Sequence, residues 1–196
     1  EDVIKGGYDR EQPKEKISLI HDALIMGLQD YFGKLGLKKA ILGLSGGIDS
    51  AVTAVMATRA LGKENVRVVL MPSAYSSSHS VDDAKALAEN LGIRHDLIPI
   101  VAPYDAFNTL LAEVMEGKPF DVTEENIQAR CRAIILMAIS NKYGNILLNT
   151  TNKSEMSVGY GTLYGDLAGG LSVLADIYKT DIYLLADYIN KDHEVI

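Results

Sequence analysis

Cysteine, tryptophan and surplus positive charge are scarce or absent in this chain of 196 residues. The single cysteine, Cys131, excludes an intrachain disulfide and a cysteine-rich zinc site. The 19 lysines and arginines are outnumbered by 26 aspartates and glutamates, and the net charge of −7 provides no global basic field for nucleic acid. No apolar run reaches the roughly 18 residues that span a membrane. An anionic ligand would therefore depend on local backbone N–H groups, a few placed cations or a metal ion.

The remaining composition, 47% hydrophobic and 23% charged, is that of an ordinary globular protein. Residues 1–16 are polar and contain no signal-peptide core, and the chain does not begin with methionine. We therefore expect a cytoplasmic protein with no nucleic-acid partner and no membrane contact. We also expect the chain to be a fragment or a processed product.

Short apolar runs alternate with amphipathic stretches along most of the chain. Continuous apolar strands separated by helices predict a parallel sheet that is covered on both faces. The predicted fold class is therefore α/β, a doubly wound, Rossmann-like parallel sheet that binds its ligands beyond the carboxyl ends of the strands. The predicted strands are 39–44, 66–71, 95–101 and 145–149, and the predicted helices are 14–34, 50–61, 80–91, 104–115, 123–141 and 180–190. Two helices have predicted N-terminal caps, Ser80 with Asp83 in one and Thr123 in the other.

The loop after the first predicted strand is the most informative segment, GLSGGIDS at 43–50. Its glycines let the backbone approach an anion closely, and the start of the following helix offers free N–H groups to a phosphate. Ser45 and Ser50 add hydroxyl donors. Asp49 would repel phosphates unless it held a cation, so its position predicts Mg²⁺.

Several interpretations compete for this loop. A Walker A loop is excluded because no lysine precedes the final serine. Gly43-x-Ser45-x-Gly47 matches the nucleophile elbow of serine hydrolases, which needs a downstream acid and histidine. The histidines His79, His95 and His193 lie in no obvious catalytic loop. The remaining interpretations are a pyrophosphate-binding loop, SGG-x-DS, and a plain turn capping a helix.

The SGGIDS segment at 45–50 resembles the signature of the N-type ATP pyrophosphatases, which have the adenine nucleotide alpha-hydrolase-like fold. These include the synthetases of NAD, GMP, asparagine and argininosuccinate. The resemblance implies that ATP adenylates a substrate oxygen, pyrophosphate leaves, and a nitrogen or sulfur nucleophile displaces AMP. The loop alone does not choose among them. Another member such as GMP synthetase therefore stays open, as does, more remotely, a serine hydrolase that uses Ser45.

Two further segments bear on the substrate. ENIQARCR at 125–132 begins a helix and puts Asn126 and Arg130 on one face. NTTNKSE at 149–155 and GYGTLYGD at 159–166 follow the fourth predicted strand, at the ligand-binding edge. Their hydroxyl and amide groups suit a nucleotide, and the carboxylate of Glu155 suits a metal. Taken alone, they would be a solvated helix face and a polar turn.

Together the three motifs closely resemble the NAD synthetases, over roughly residues 14–190, and above all the synthetase domain of the glutamine-dependent bacterial enzymes. Leu163 stands where the ammonia-only enzymes tend to have lysine. The resemblance implies a single domain, 1–196, that is truncated at its C-terminus and lacks the N-terminal amidase domain. It implies ATP-dependent amidation of deamido-NAD to NAD, with nitrogen from ammonia that glutamine supplies in the full-length enzyme. It also implies a homodimer or higher homo-oligomer.

The resemblance further implies roles for individual residues. Asp49 and Glu155 would bind Mg²⁺, and with Lys179 they form the implied catalytic set. No covalent nucleophile is implied, so Cys131 is expected in the core or an interface. ATP would be bound by Gly43, Leu44, Ser45, Gly46, Gly47, Asp49, Ser50, Met71, Thr150 and Lys179. Deamido-NAD would be bound by Asn126, Arg130, Glu155, Tyr160, Gly161, Thr162, Leu163 and Asp166.

Overall fold

The sheet of this protein consists of five parallel strands in the computed structural model, which describes residues 13–196 without the side chains of 13–15 and 78. Most of the polar N-terminal segment, residues 1–12, thus lies outside the described residues. The strands are β1 (Ala40–Gly43), β2 (Val66–Leu70), β3 (Arg94–Leu97), β4 (Ile146–Asn149) and β5 (Leu171–Ser172). Their order in the sheet is β3-β2-β1-β4-β5, the order that a doubly wound fold produces.

Helices cover both faces of this sheet. They are α1 (Pro13–Leu35), α2 (Ile48–Leu61), α3 (Ser78–Leu91), α4 (Val101–Leu111), α5 (Val122–Tyr143), α6 (Lys153–Ser157) and α7 (Lys179–Ile189). Helices α1, α2, α3 and α7 contribute to the larger apolar cluster, and α5 contributes to the smaller one on the opposite face. No helix among the described residues combines the length and the apolarity needed to cross a membrane.

Side chains of the central strands alternate between these two clusters. In β1, Leu42 packs into the larger cluster and Ile41 into the smaller one, and Val68 and Val69 of β2 divide in the same way. Alternation is a property of any strand, and here both faces are apolar because both are covered. The prediction of a doubly wound parallel sheet with helices on both faces is confirmed.

The predicted boundaries were wrong in the third strand and in the fourth helix, which runs from Val101 to Leu111 rather than over 104–115. The strand predicted at 95–101 ends at Leu97, because Ile100 is already the N-terminal cap position of α4. Neither β5, with two residues, nor α6, with five, was predicted. Elements this short contain too few residues to show a hydrophobic period.

Both predicted helix caps were also wrong. The hydroxyl of Ser77 accepts a hydrogen bond from the Ser80 N–H at 3.1 Å, so Ser80 lies inside α3. At the start of α5, Asp121 accepts a bond from the Thr123 N–H at 2.7 Å. The Glu124 carboxylate accepts the Asp121 N–H at 2.9 Å and completes a capping box. Each helix therefore begins a residue or two earlier than its apolar pattern indicated.

Candidate functional site

A cavity of about 320 Å³ opens at the carboxyl edge of the sheet, where the strand order reverses between β1 and β4. This is where ligands bind in open α/β sheets. Its walls are largely apolar, from the ends of β1, β2 and β4 and from α5. Six residues of the predicted sites line it: Gly43, Leu44, Ser45, Met71, Thr150 and Asp166.

The glycine loop between β1 and α2 lies beside this cavity. Gly46 has a φ of +84°, a conformation that glycine adopts without strain. The Ser50 hydroxyl donates to the Gly47 carbonyl at 2.8 Å and accepts the Ser45 N–H at 3.2 Å. The Ser45 hydroxyl accepts the Gly47 N–H at 3.2 Å. These bonds hold the loop in shape at the start of α2, where free N–H groups and the helix dipole favour an anion.

Asn152 forms hydrogen bonds with both predicted acidic residues, Asp49 at the end of the glycine loop and Glu155 in α6. Its side-chain amide donates to Asp49 at 2.9 Å, and its backbone N–H donates to Glu155 at 3.0 Å. Lys179, at the first position of α7, forms an ion pair with the other carboxylate oxygen of Asp49. The tertiary structure thus brings together the whole predicted catalytic set, Asp49, Glu155 and Lys179, from segments far apart in the chain.

Two of these side chains are carboxylates that could hold a magnesium ion. Among the side chains described within residues 13–196, no group of three or more histidines, cysteines, aspartates or glutamates is placed to hold a metal ion. Mg²⁺ usually takes one or two carboxylates and fills its other positions with substrate phosphates and water. Asp49 and Glu155 supply two carboxylates beside the glycine loop, which matches that requirement.

A second group of predicted residues connects α5 to the glycine-rich loop after α6. The Thr162 hydroxyl bonds the Asn126 side chain at 2.7 Å, and the Arg130 guanidinium donates to the Leu163 carbonyl at 3.3 Å. The Thr162 N–H donates to the Asp166 carboxylate. Asp166 also lines the cavity, so this surface and the cavity are continuous.

Tyr160 and Gly161 belong to the same loop. The Tyr160 side chain is largely exposed, and its backbone N–H donates to the Glu155 carbonyl at 2.9 Å. A methyl group on Gly161 would come within 2.7 Å of the Leu167 side chain, so a glycine fits this position.

Two residues of the site were not assigned a role from the sequence. Asn152 is fully buried, and it lies inside the NTTNKSE motif. Arg132 lines the cavity, and its Nε donates to the Met71 carbonyl at 3.2 Å. Burial lowers the pKa of the Arg132 guanidinium, although an arginine remains protonated at neutral pH. Each had a signal in the sequence, since both lie within the motifs, but their partners are distant in sequence.

The described residues provide no catalytic base for Ser45. Its hydroxyl is bonded to the Ser50 hydroxyl at 3.1 Å and to the Gly47 N–H, and no histidine is among these partners. The serine-hydrolase alternative therefore lacks the geometry of a triad. Cys131 is buried in the smaller apolar cluster, where burial raises the pKa of its thiol. A buried thiol of raised pKa is a core residue rather than a nucleophile.

The strand order, the cavity at the reversal and the glycine loop with its acidic residue define an α/β protein of the adenine nucleotide alpha-hydrolase-like class. The model of the family described as NAD synthase matches residues 20–196. The chain belongs to the NAD synthase family.

Known proteins of this family resemble the chain in sequence and in structure. It is 54% identical over 168 residues to a glutamine-dependent NAD(+) synthetase of Thermotoga maritima, covering 86% of this chain but 29% of that protein. The structure of the glutamine-dependent NAD+ synthetase of Acinetobacter baumannii with ADP matches 90% of this chain and 34% of that one, at a TM-score of 0.89 and 46% identity. An NH3-dependent NAD synthetase of Campylobacter jejuni matches 89% of this chain and 73% of that one, at a TM-score of 0.81 and 36% identity.

Proposed function

We propose that this chain is the synthetase part of a longer enzyme that converts deamido-NAD to NAD with ATP and ammonia. The observation that carries this proposal is the continuity of two sites through Asp166. That residue lines the nucleotide cavity and also accepts the N–H of Thr162, beside Asn126. Two nucleotides bound at these sites would meet at one edge of the sheet. Family membership supports the choice of deamido-NAD over the xanthosine monophosphate of a GMP synthetase.

The reaction has two steps. The nicotinate carboxylate of deamido-NAD attacks the α-phosphorus of ATP, forming an acyl adenylate as the bond to pyrophosphate breaks. Ammonia then attacks the acyl carbon, and AMP leaves with the bonding electron pair. The loop N–H groups and the hydroxyls of Ser45 and Ser50 would bind the ATP phosphates and stabilise the charge that develops on pyrophosphate.

Asp49 and Glu155 would hold Mg²⁺ at this loop. The ion supplies neutralisation of phosphate charge during the transfer. Lys179 forms an ion pair with Asp49 and would neutralise phosphate charge beside it. Asn126 and Arg130 would orient deamido-NAD, because an amide and a guanidinium on one helix face suit its phosphates and hydroxyl groups.

The partners of the site follow from the same proposal. The chain spans about a third of the glutamine-dependent relatives' length, so an amidase domain elsewhere in the full-length protein would supply ammonia. We also propose a homodimer. Exposed apolar side chains support it: Leu110 of α4 is 75% exposed, Ile134 of α5 58%, and Tyr164 beside the substrate loop 86%. Exposed apolar side chains that lie next to one another are usually covered by a partner.

The test uses the complete natural protein with ATP, Mg²⁺, ammonium chloride and deamido-NAD. We expect NAD, AMP and pyrophosphate in equal amounts, and exchange of labelled pyrophosphate into ATP only when deamido-NAD is present. Xanthosine monophosphate is the control substrate. Exchange with xanthosine monophosphate but not with deamido-NAD would overturn the assignment.

A further inference from the structure

Arg132 occupies an unusual place for an arginine. It lies on α5 and lines the cavity among apolar side chains such as Val81 and Leu136. No carboxylate forms an ion pair with it in the described part of the chain, although the charge of Asp166 acts on it from nearby. Placing a cation in such a wall costs desolvation energy, and the ion pair that usually offsets this cost is missing.

The hydrogen bonding of Arg132 is also incomplete. Nε donates to the Met71 carbonyl, and the two Nη atoms have no partner among the described residues. Among these residues no buried side-chain nitrogen or oxygen lacks a partner, so the Nη atoms are accessible. Because Arg132 lines the cavity, its Nη N–H groups can donate hydrogen bonds into the cavity.

We propose that Arg132 binds the purine base of the nucleotide, with Nε fixing the end of β2 and the Nη donors directed to an acceptor nitrogen of the base. This inference rests on the proposed function, because that function identifies the nucleotide as ATP. It assigns the base to the apolar cavity, where a flat ring can pack against Leu136 and Met71. A few placed polar groups in such a pocket set the orientation of the ligand.

The positions of the phosphate-binding residues indicate that Arg132 contacts the base of ATP rather than its phosphates. Among the phosphate-binding groups only Ser45 reaches the cavity lining, whereas Gly46, Gly47, Asp49, Ser50 and Lys179 do not, and Arg132 does. The phosphates would therefore lie towards the loop and its ion pair, and the base would lie at the end of the cavity that Arg132 shares with Met71.

The first experiment measures binding of ATP and of inorganic tripolyphosphate to the complete natural protein by calorimetry, without deamido-NAD. We expect Arg132→Met to weaken ATP roughly tenfold or more and to leave tripolyphosphate unchanged. Arg132→Lys should recover part of the loss, since one ammonium replaces a forked pair of donors. The matched control is Lys142→Met, an exposed cation near the other end of α5, which should leave ATP binding unchanged. Equal weakening of ATP and tripolyphosphate would overturn the proposal.

The second experiment needs no variant and tests the hydrogen bond to the base even if Arg132→Met fails to fold. Binding of 1-deaza-, 3-deaza- and 7-deaza-ATP to the unaltered protein is compared with binding of ATP. We expect one of the three to bind roughly tenfold more weakly, because it lacks the nitrogen that accepts from Arg132. Equal binding of all three would overturn the proposal. Both experiments measure nucleotide binding only, so a failure of NAD formation would be seen separately.

Discussion

Asn152 is the residue on which the two acidic side chains of the site depend. It bonds Asp49 through its side-chain amide, and it caps α6 by accepting the Glu155 N–H at 3.0 Å. We expect Asn152→Ser to keep the cap but lose the bond to Asp49, so NAD formation should fall roughly tenfold. Asn152→Ala should lose the cap as well, and its free energy of unfolding should be about 1 kcal/mol lower than that of the serine variant. Steady-state rates and thermal melts distinguish the two contributions, and unchanged rates in both variants would contradict the assignment.

The ion pair between Lys179 and Asp49 predicts that the lysine competes with a metal ion for this carboxylate. The Asp49 side chain is 18% exposed and that of Lys179 35%, so their attraction is only partly screened by water. We expect Lys179→Met to bind Mn²⁺, as a probe for Mg²⁺, roughly threefold to tenfold more tightly in the absence of nucleotide, yet to form NAD more slowly.

A paramagnetic titration of Mn²⁺ measures this competition. The matched control is Lys153→Met, a nearby lysine whose Nζ lies 3.9 Å from the exposed Asp176 rather than at Asp49. An unchanged Mn²⁺ affinity in Lys179→Met would show that the ion pair does not restrict the metal site.

At the scale of elements, the glycine loop is packed against the start of α3. A methyl group on Gly46 would come within 2.8 Å of the Ser80 Cα, and the φ of +84° is unfavourable for alanine. Gly46→Ala should therefore lose about 2 kcal/mol of stability and also weaken ATP binding. Gly47 has a φ of −87°, and a methyl group there would lie 3.3 Å from the Ser45 hydroxyl.

Gly47→Ala is thus the control for Gly46→Ala. It should retain its melting temperature while weakening ATP binding, since the methyl group stands where a phosphate approaches the backbone. Calorimetric titration with ATP and thermal melts separate the two effects. Equal stability of the two variants would show that the loop does not depend on its contact with α3.

The edge strand β3 is joined to β2 by an ion pair that predicts a dependence of stability on pH. Arg67 donates to Asp96 at 2.5 Å, and this hydrogen bond lowers the pKa of the Asp96 carboxyl. Because the pKa is lower in the folded state, the stabilisation is present above the ordinary aspartate pKa of about 3.9 and is lost as the pH falls through the folded value.

We expect Asp96→Asn to lose about 1 kcal/mol at neutral pH, a small value because the side chain is partly exposed. The difference from the unaltered protein should shrink below about pH 4. Asp30→Asn is the control, because Asp30 forms an exposed pair with Lys34 on α1. Urea unfolding at pH 7 and pH 3 checks this, and an equal difference at both would exclude the ion pair as its cause.

At the scale of the whole molecule, the exposed apolar residues predict self-association. Leu110 of α4 is 75% exposed, and an aspartate at that position would be buried without a partner in a dimer interface. Leu110→Asp should convert a dimer to a monomer in sedimentation velocity. Lys85→Asp, on α3, replaces a side chain that is already charged and exposed, and it should leave the dimer intact. A monomeric unaltered protein, or a dimeric Leu110→Asp variant, would exclude this surface.

The linear sequence determined the class of fold and the segments of the site. Continuous apolar runs such as that of β1 predicted a buried parallel strand, and the SGGIDS loop predicted where an anion would bind, because both signals lie within a few adjacent residues. Short elements left no period to detect, and the caps Ser77 and Asp121 lay outside the helices that the apolar pattern outlined.

Only the tertiary structure decided how the segments meet. The Asn152 amide reaches Asp49 across 103 positions, and the Arg132 Nε reaches the Met71 carbonyl across 61. Such contacts depend on which strands are neighbours and on which face of a helix turns to the sheet. Composition, with its net charge of −7, indicated only that an anion would need local groups. The fold supplies them by bringing the carboxyl ends of β1, β2 and β4 to one edge.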